Sequence, residues 1–146
     1  NRIQLIFAGD GPQKKNIQMY AAKHLPVQPI MKFYSRDELL KVIGSADLYV
    51  HAAEIELEAI SCLEAISCGL VPVINNSPRS ATKYFALDNK NLFKCNNAKD
   101  LAAKIDYWIE HPEEKEQRSL DYADFATQWQ FDKCMDQMEE MILSII

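Results

Sequence analysis

The feature that most constrains this chain is an alternation. Short apolar runs recur, each followed by a stretch with helical periodicity. Residues 3–8 form an apolar run closed by Gly9, and residues 30–34, 47–51 and 71–74 form three more. After the first run, Ile17, Ala21 and Leu25 recur every four residues. Leu39, Val42, Ile43 and Ala46 make a second stripe, and Ile60, Leu63 and Ile66 a third. A buried strand reads as a short apolar run, and an amphipathic helix as a stripe near period 3.6. Strands alternating with helices predict parallel βαβ units, hence an α/β, Rossmann-like doubly wound sheet.

Local signals place the boundaries. Pro12 suits the first position of the first helix, which stops before Pro26. Ser35 followed by Glu38 is a capping box and starts the second. Gly69 ends the third, and Pro72 stands near the start of a strand, where it is tolerated. Residues 75–78 read as a loop, 80–86 as a short helix and 91–93 as an edge strand. From Asn97, Leu101, Ala102, Ile105, Trp108 and Ile109 form a helical stripe that Pro112 stops. Two carboxyl-terminal helices follow, at about 113–128 and 131–145. Phe131, Met135, Met138, Ile142 and Ile145 give the last one an apolar face, which its spacing assigns to core packing. Were a neighbouring half of the protein missing, part of that face would lie exposed instead.

Composition narrows the function. The 146 residues suit one domain, 1–146, and a chain 48% hydrophobic and 25% charged is globular, not disordered. With 21 acidic against 16 basic residues, the net charge of −5 argues against a nucleic-acid partner. No apolar run has the length of a membrane span. Cys62, Cys68, Cys95 and Cys134 form no CxxC pair, so they read as reduced thiols in a cytoplasmic protein, not as metal ligands. Asn1 and Arg2 carry neither an initiator Met nor a signal-peptide pattern and lead at once into an apolar run, so we expect a piece of a longer protein.

In doubly wound sheets ligands sit beyond the carboxyl ends of the strands. That rule selects residues 9–12, 34–36, 51–61 and 75–80. Gly9 and Gly11, in Gly9-Asp10-Gly11-Pro12, permit a tight turn and close approach of a ligand, though a plain βα turn reads the same way. The segment is neither GxGxxG nor a phosphate-binding Walker loop. Next, an acidic loop with Glu54, Glu56 and Glu58 precedes a helix opening near Ala59, with Glu64 about one turn inside. The open N–H groups at Ile60 and Ser61 suit a diphosphate, and the Glu64 carboxylate can accept from a ribose hydroxyl pair. Glu56 stands before the helix, within reach of a sugar ring. A solvated acidic loop is the competing reading of the same residues. His51, at a strand end, and Arg79, in the loop after the fourth strand, are smaller candidates. Lys14 and Lys15 read as a solvated helix face.

Glu56, then Glu64-Ala65-Ile66-Ser67-Cys68-Gly69-Leu70-Val71-Pro72-Val73-Ile74, resembles the Glu-x7-Glu signature of retaining family 4 glycosyltransferases. Gly9-Asp10-Gly11-Pro12 and Ala46-Asp47-Leu48-Tyr49-Val50 match family segments in the same order, so the resemblance covers roughly residues 3–110. It implies the donor-binding half of a GT-B fold. It further implies that Glu64 grips the ribose of a nucleotide-sugar, usually UDP- or GDP-linked, and that Glu56 contacts the hexose and is the catalytic residue. Ile60 and Ser61 would face the diphosphate, Gly9 and Gly11 would lie against the donor, and Ser35 and Arg36 would lie near the base. No metal or other cofactor is implied. The remaining partner is an amino-terminal acceptor domain, which carries no part of this chain.

The chain departs from the family pattern in two places. The Gly-Phe-Gly after the first Glu is Leu57-Glu58-Ala59, and the Gly-Gly-x-x-Glu loop is replaced by Ser77-Pro78-Arg79-Ser80-Ala81-Thr82. The family's diphosphate-binding Arg and Lys precede the first strand, so Arg79 is a candidate for partial replacement of that charge. Ser61-Cys62-Leu63-Glu64-Ala65-Ile66 with Phe85-Ala86-Leu87 is similar to a lipid- and sterol-directed subgroup of bacterial enzymes that use UDP-glucose. A peripheral membrane association of the whole enzyme follows from that subgroup. Two rivals stay open: a non-enzymatic flavodoxin-like regulatory module, and a sugar-nucleotide epimerase of the same fold.

Overall fold

The apolar runs all form strands, but the first three strands are shorter than their runs and the fourth is shifted by one residue. The computed structural model describes residues 3–145; Asn1 and Arg2, on which the expectation about the amino terminus rests, and Ile146 lie outside the described residues. Two compact units divide the chain, one ending at Val42 and the other starting at Ile43.

In the first unit, β1 (Ile6–Ala8) pairs in parallel with β2 (Ile30–Lys32), Ile6 opposite Ile30. Between them runs α1 (Lys14–His24), which ends at Leu25, before Pro26. Pro12 is not in the helix. The Lys14 N–H donates to the Gly11 carbonyl at 3.1 Å, which closes a turn with Pro12 at its second position. Proline fits that corner because its φ is already set for it, and Gln13 at φ −85°, ψ −3° has the third-position geometry of a type I turn. α2 (Arg36–Gly44) begins with the expected reciprocal cap. The Ser35 N–H donates to Glu38 at 2.9 Å, and the Glu38 N–H donates to the Ser35 hydroxyl at 3.4 Å.

The second unit holds β3 (Tyr49–His51), β4 (Pro72–Asn75) and β5 (Leu92–Phe93), parallel and in that order, with β4 central. Pro72 opens β4, as its missing N–H requires. α3 (Ile60–Ser67) joins β3 to β4 and buries Cys62, Ala65 and Ile66. It closes in a Schellman motif: Leu70 N–H donates to the Ala65 carbonyl at 3.0 Å and Gly69 N–H to Ile66 at 2.9 Å. Gly69 takes the left-handed φ of 78° that this closure needs. Residues 81–85 form a 3-10 turn, not a full helix, capped by Ser80.

α4 (Ala98–Glu110) starts at the Asn97 cap, and α5 (Pro112–Ala126) follows with Pro112 at its first position. Cys62, Ile66, Val71, Val73, Ile74, Phe93, Trp108 and Tyr122 form the core around β4. α6 (Phe131–Leu143) corrects an expectation. None of its residues is buried among the described residues, and its apolar face, including Phe131 at 75% exposed, does not pack as core. Helical spacing reports that a helix has an apolar face; whether another element covers that face is a separate matter. Among the described residues no helix is long and apolar enough to cross a membrane. All four cysteines are unbridged, with Cys62 buried and Cys68 exposed.

Candidate functional site

The loop after β3 carries Glu56 and α3 carries Glu64, so the two glutamates of the Glu-x7-Glu spacing stand on either side of the start of α3. β3 alternates its side chains, so Tyr49 and His51 share a face. The Tyr49 hydroxyl lies 3.0 Å from Nδ1 of His51 and 2.9 Å from the hydroxyl of Ser61, in the first turn of α3. His51 is 7% exposed, and its Nε2 points toward Oε2 of Glu56 at 3.9 Å, with no hydrogen-bond partner among the described residues. Polar contacts therefore link Ser61, Tyr49 and His51, and the far side of the ring faces Glu56 across 3.9 Å.

Glu56 is held by its own loop. Its carboxylate accepts from the Leu57 N–H at 2.9 Å and the Glu58 N–H at 3.3 Å. Backbone N–H groups, Ala59 first and then Glu58, keep its carboxyl below the usual value, and His51 adds a smaller pull. The loop stays in place through bonds with residues 77–81: the Ala81 N–H donates to the Glu56 carbonyl at 2.9 Å, and the Ser77 hydroxyl donates to the Glu54 carbonyl at 2.6 Å.

Glu64 is half-buried on α3. Burial pushes the Tyr49 hydroxyl up to about 12, and the negative charges of Glu56 and Glu64 push in the same direction. Ile60 is 60% exposed and Ser61 is exposed, so the start of α3, where helical N–H groups precede any partner four residues back, opens to solvent. Ala59, just before it, sits at φ 54°, in the left-handed region where the family pattern has glycine. The other departure, Leu57, is 83% exposed, so its side chain adds apolar surface and does not fill the core.

Of the remaining sequence candidates, Gly9, Gly11, Lys14, Ser35 and Arg36 lie in the first unit. Gly9 and Gly11 follow β1: the Gly9 N–H continues the ladder to the Lys32 carbonyl at 2.9 Å, and the Gly11 N–H donates to the Asp10 carboxylate at 2.8 Å. A Cβ on either glycine would meet nothing within 4 Å. Ser35 and Arg36 stand at the exposed start of α2, with the Ser35 hydroxyl engaged in the cap. Lys14 pairs with Asp10 at 3.1 Å. Arg79 pairs with Glu54, so its charge is already partly answered by a neighbour.

Tyr49 was missed as a site residue, and His51 was only a secondary candidate. The signal was available: two polar rings two apart at the end of an apolar strand must face the same side. Among the described residues no group of three or more His, Cys, Asp or Glu side chains is placed to hold a metal ion.

Residues 1–124 match the family described as glycosyl transferases group 1. Among solved structures, the chain is similar to the crystal structure of the catalytic domain of cholesterol-alpha-glucosyltransferase from Helicobacter pylori. The two share 51% sequence identity with a TM-score of 0.82, over 86% of this chain and 79% of that one. No curated protein matches the chain.

Proposed function

The chain belongs to the group 1 glycosyl transferases, and on that premise we propose that it binds UDP-glucose and delivers glucose, with retention of configuration, to the hydroxyl of a lipid or sterol. It is a glycosyltransferase domain of the donor-binding kind, with a nucleotide-sugar and an acceptor as substrates; neither a regulatory module nor an epimerase is favoured. The choice of glucose and of a sterol-like acceptor draws on the 51% identical relative, which is a cholesterol-alpha-glucosyltransferase.

The observation that carries the reading is the open amino end of α3, with Glu56 held by backbone N–H groups in the loop just before it and Glu64 about one turn inside it. Glu64 accepts from the two ribose hydroxyls, and Glu56 from a hexose hydroxyl. The diphosphate rests on the N–H groups at Ile60 and Ser61, where the helix dipole favours negative charge. As the sugar–phosphate bond breaks, charge grows on the nucleoside diphosphate. N–H groups already aimed at it stabilise that charge without reorganisation. No metal takes part in this reading. The acceptor site belongs to an amino-terminal domain of the whole enzyme, so the chain by itself binds donor weakly and turns over negligibly.

Calorimetric titration with UDP-glucose, GDP-mannose and UDP tests this. Glu64→Ala should weaken UDP and UDP-glucose alike by about 1.5–3 kcal/mol, the worth of a charge-assisted contact. Equal affinity of the wild type and the variant would remove the ribose assignment, and preference for GDP-mannose would remove the choice of donor.

A further inference from the structure

We propose that His51 is a positioning residue for Glu56, with Tyr49 and Ser61 setting which ring nitrogen carries the proton. The proposal rests on the reading of Glu56 as the sugar-contacting carboxylate. Its basis is the geometry of four side chains and one orphaned atom. The Nε2 atom of His51 is buried and unpartnered among the described residues, which is a costly arrangement unless something answers it. The group it faces is Oε2 of Glu56, at 3.9 Å.

The other carboxylate oxygen, Oε1, is fixed by the N–H groups of Leu57 and Glu58. One side of Glu56 is therefore anchored by backbone, and the other is watched by a single ring nitrogen. For that nitrogen to help, it must carry a hydrogen. The hydroxyl chain can run in either direction, and in the proposed one Ser61 donates to Tyr49 and Tyr49 donates to Nδ1, which leaves the ring proton on Nε2. Burial lowers the ring's pKa, against the opposing pull of Glu56. A short closing movement then turns the 3.9 Å approach into an N–H···O bond. With both oxygens oriented, the free lone pairs of Glu56 face outward for a sugar hydroxyl.

The same chain ties this to the helix. Ser61 stands in the first turn of α3 beside the N–H groups read as the diphosphate site. Loss of the Tyr49 hydroxyl would release the ring tautomer and the Ser61 hydroxyl, while the backbone N–H groups at the start of α3 stay in the helix.

The test compares affinities for UDP-glucose and for UDP, which lacks the hexose. His51→Phe keeps the ring volume and removes both nitrogens. It should weaken UDP-glucose about fivefold and leave UDP within about twofold. His51→Gln, which can present an N–H near Nε2, should restore most of the loss. Tyr49→Phe should weaken UDP-glucose about threefold in the wild type and add nothing to His51→Gln, because glutamine has no tautomer to set. Glu56→Gln is the control for the underlying reading. If it weakens UDP-glucose while His51→Phe does not, Glu56 keeps its role and the positioning proposal fails. Equal weakening of UDP and UDP-glucose by His51→Phe, with no rescue by glutamine, means a merely structural histidine and also defeats it. If Glu56→Gln leaves UDP-glucose affinity unchanged, the reading of Glu56 falls and takes this proposal with it.

Discussion

β1 and β4 look alike as sequence and differ sharply as structure. Each is a short apolar run that ends at a candidate ligand edge. In the first unit every residue of β1 is exposed, Ile6 at 39%, whereas every residue of β4 in the second unit is buried. β1 has one ladder partner, β2, while β4 is flanked by β3 and β5 and touched by α3 and α4. Apolar character makes a strand able to be buried. Neighbours on both edges and both faces make it so.

The contrast is breakable by mutation. Ile74→Ala should cost about 3 kcal/mol, because the removed atoms leave a cavity among packed neighbours. Ile6→Ala should cost about 1 kcal/mol, since its side chain already meets water. Denaturant unfolding followed by Trp108 and Trp129 fluorescence reads the second unit, and amide exchange reads the first. Equal costs at the two positions would erase the distinction.

Glycines sharpen it. Gly69 stands at φ 78°, and a Cβ there would lie 2.8 Å from the Ser119 hydroxyl. Gly69→Ala should therefore cost about 1–2 kcal/mol from the left-handed backbone, with the contact added to it. Pairing it with Ser119→Gly should recover the contact and leave the backbone cost. Gly11→Ala, with open space around it, should stay within about 0.5 kcal/mol in the same unfolding assay.

The smallest effect is electrostatic and belongs to α2. The Lys32 ammonium first, and the Ser35 N–H and hydroxyl next, hold Glu38 down to about 2 from its ordinary 4.5. A depressed carboxyl contributes fully above its unfolded value and loses that contribution as pH falls through the folded one. Amide protection at Ser35 and Glu38 should thus hold above pH 4.5 and fade toward pH 2. Glu38 is exposed and screened, so the change should stay local, and raised salt should shrink it. Protection that instead rose on acidification would contradict the cap.

Several features were legible before any coordinates. Ser35 and Glu38 announced a cap that formed, and Gly69 announced the end of α3. The strand–helix alternation announced parallel ladders, and the Glu56–Glu64 spacing pointed to the family. These signals are local: a cap or a turn involves residues within a few positions, so its chemistry is written in a short window. Pro12 was misplaced because a first helical position and a turn corner ask for nearly the same φ. Arg79 looked like spare charge until Glu54, far back in sequence, was found beside it.

Sequence alone determined which residues can cap, turn, line a strand or stripe a helix, and it determined that two glutamates stand eight positions apart across a loop and a helix start. Only the tertiary structure decided that α6 leaves its apolar face to solvent and that β4 lies inside. It also decided that polar contacts link Ser61, Tyr49 and His51, with the far side of the ring facing Glu56. The physical reason is range. Propensity and spacing act along the backbone, whereas burial, desolvation and ring-to-carboxylate geometry depend on segments that only folding brings together.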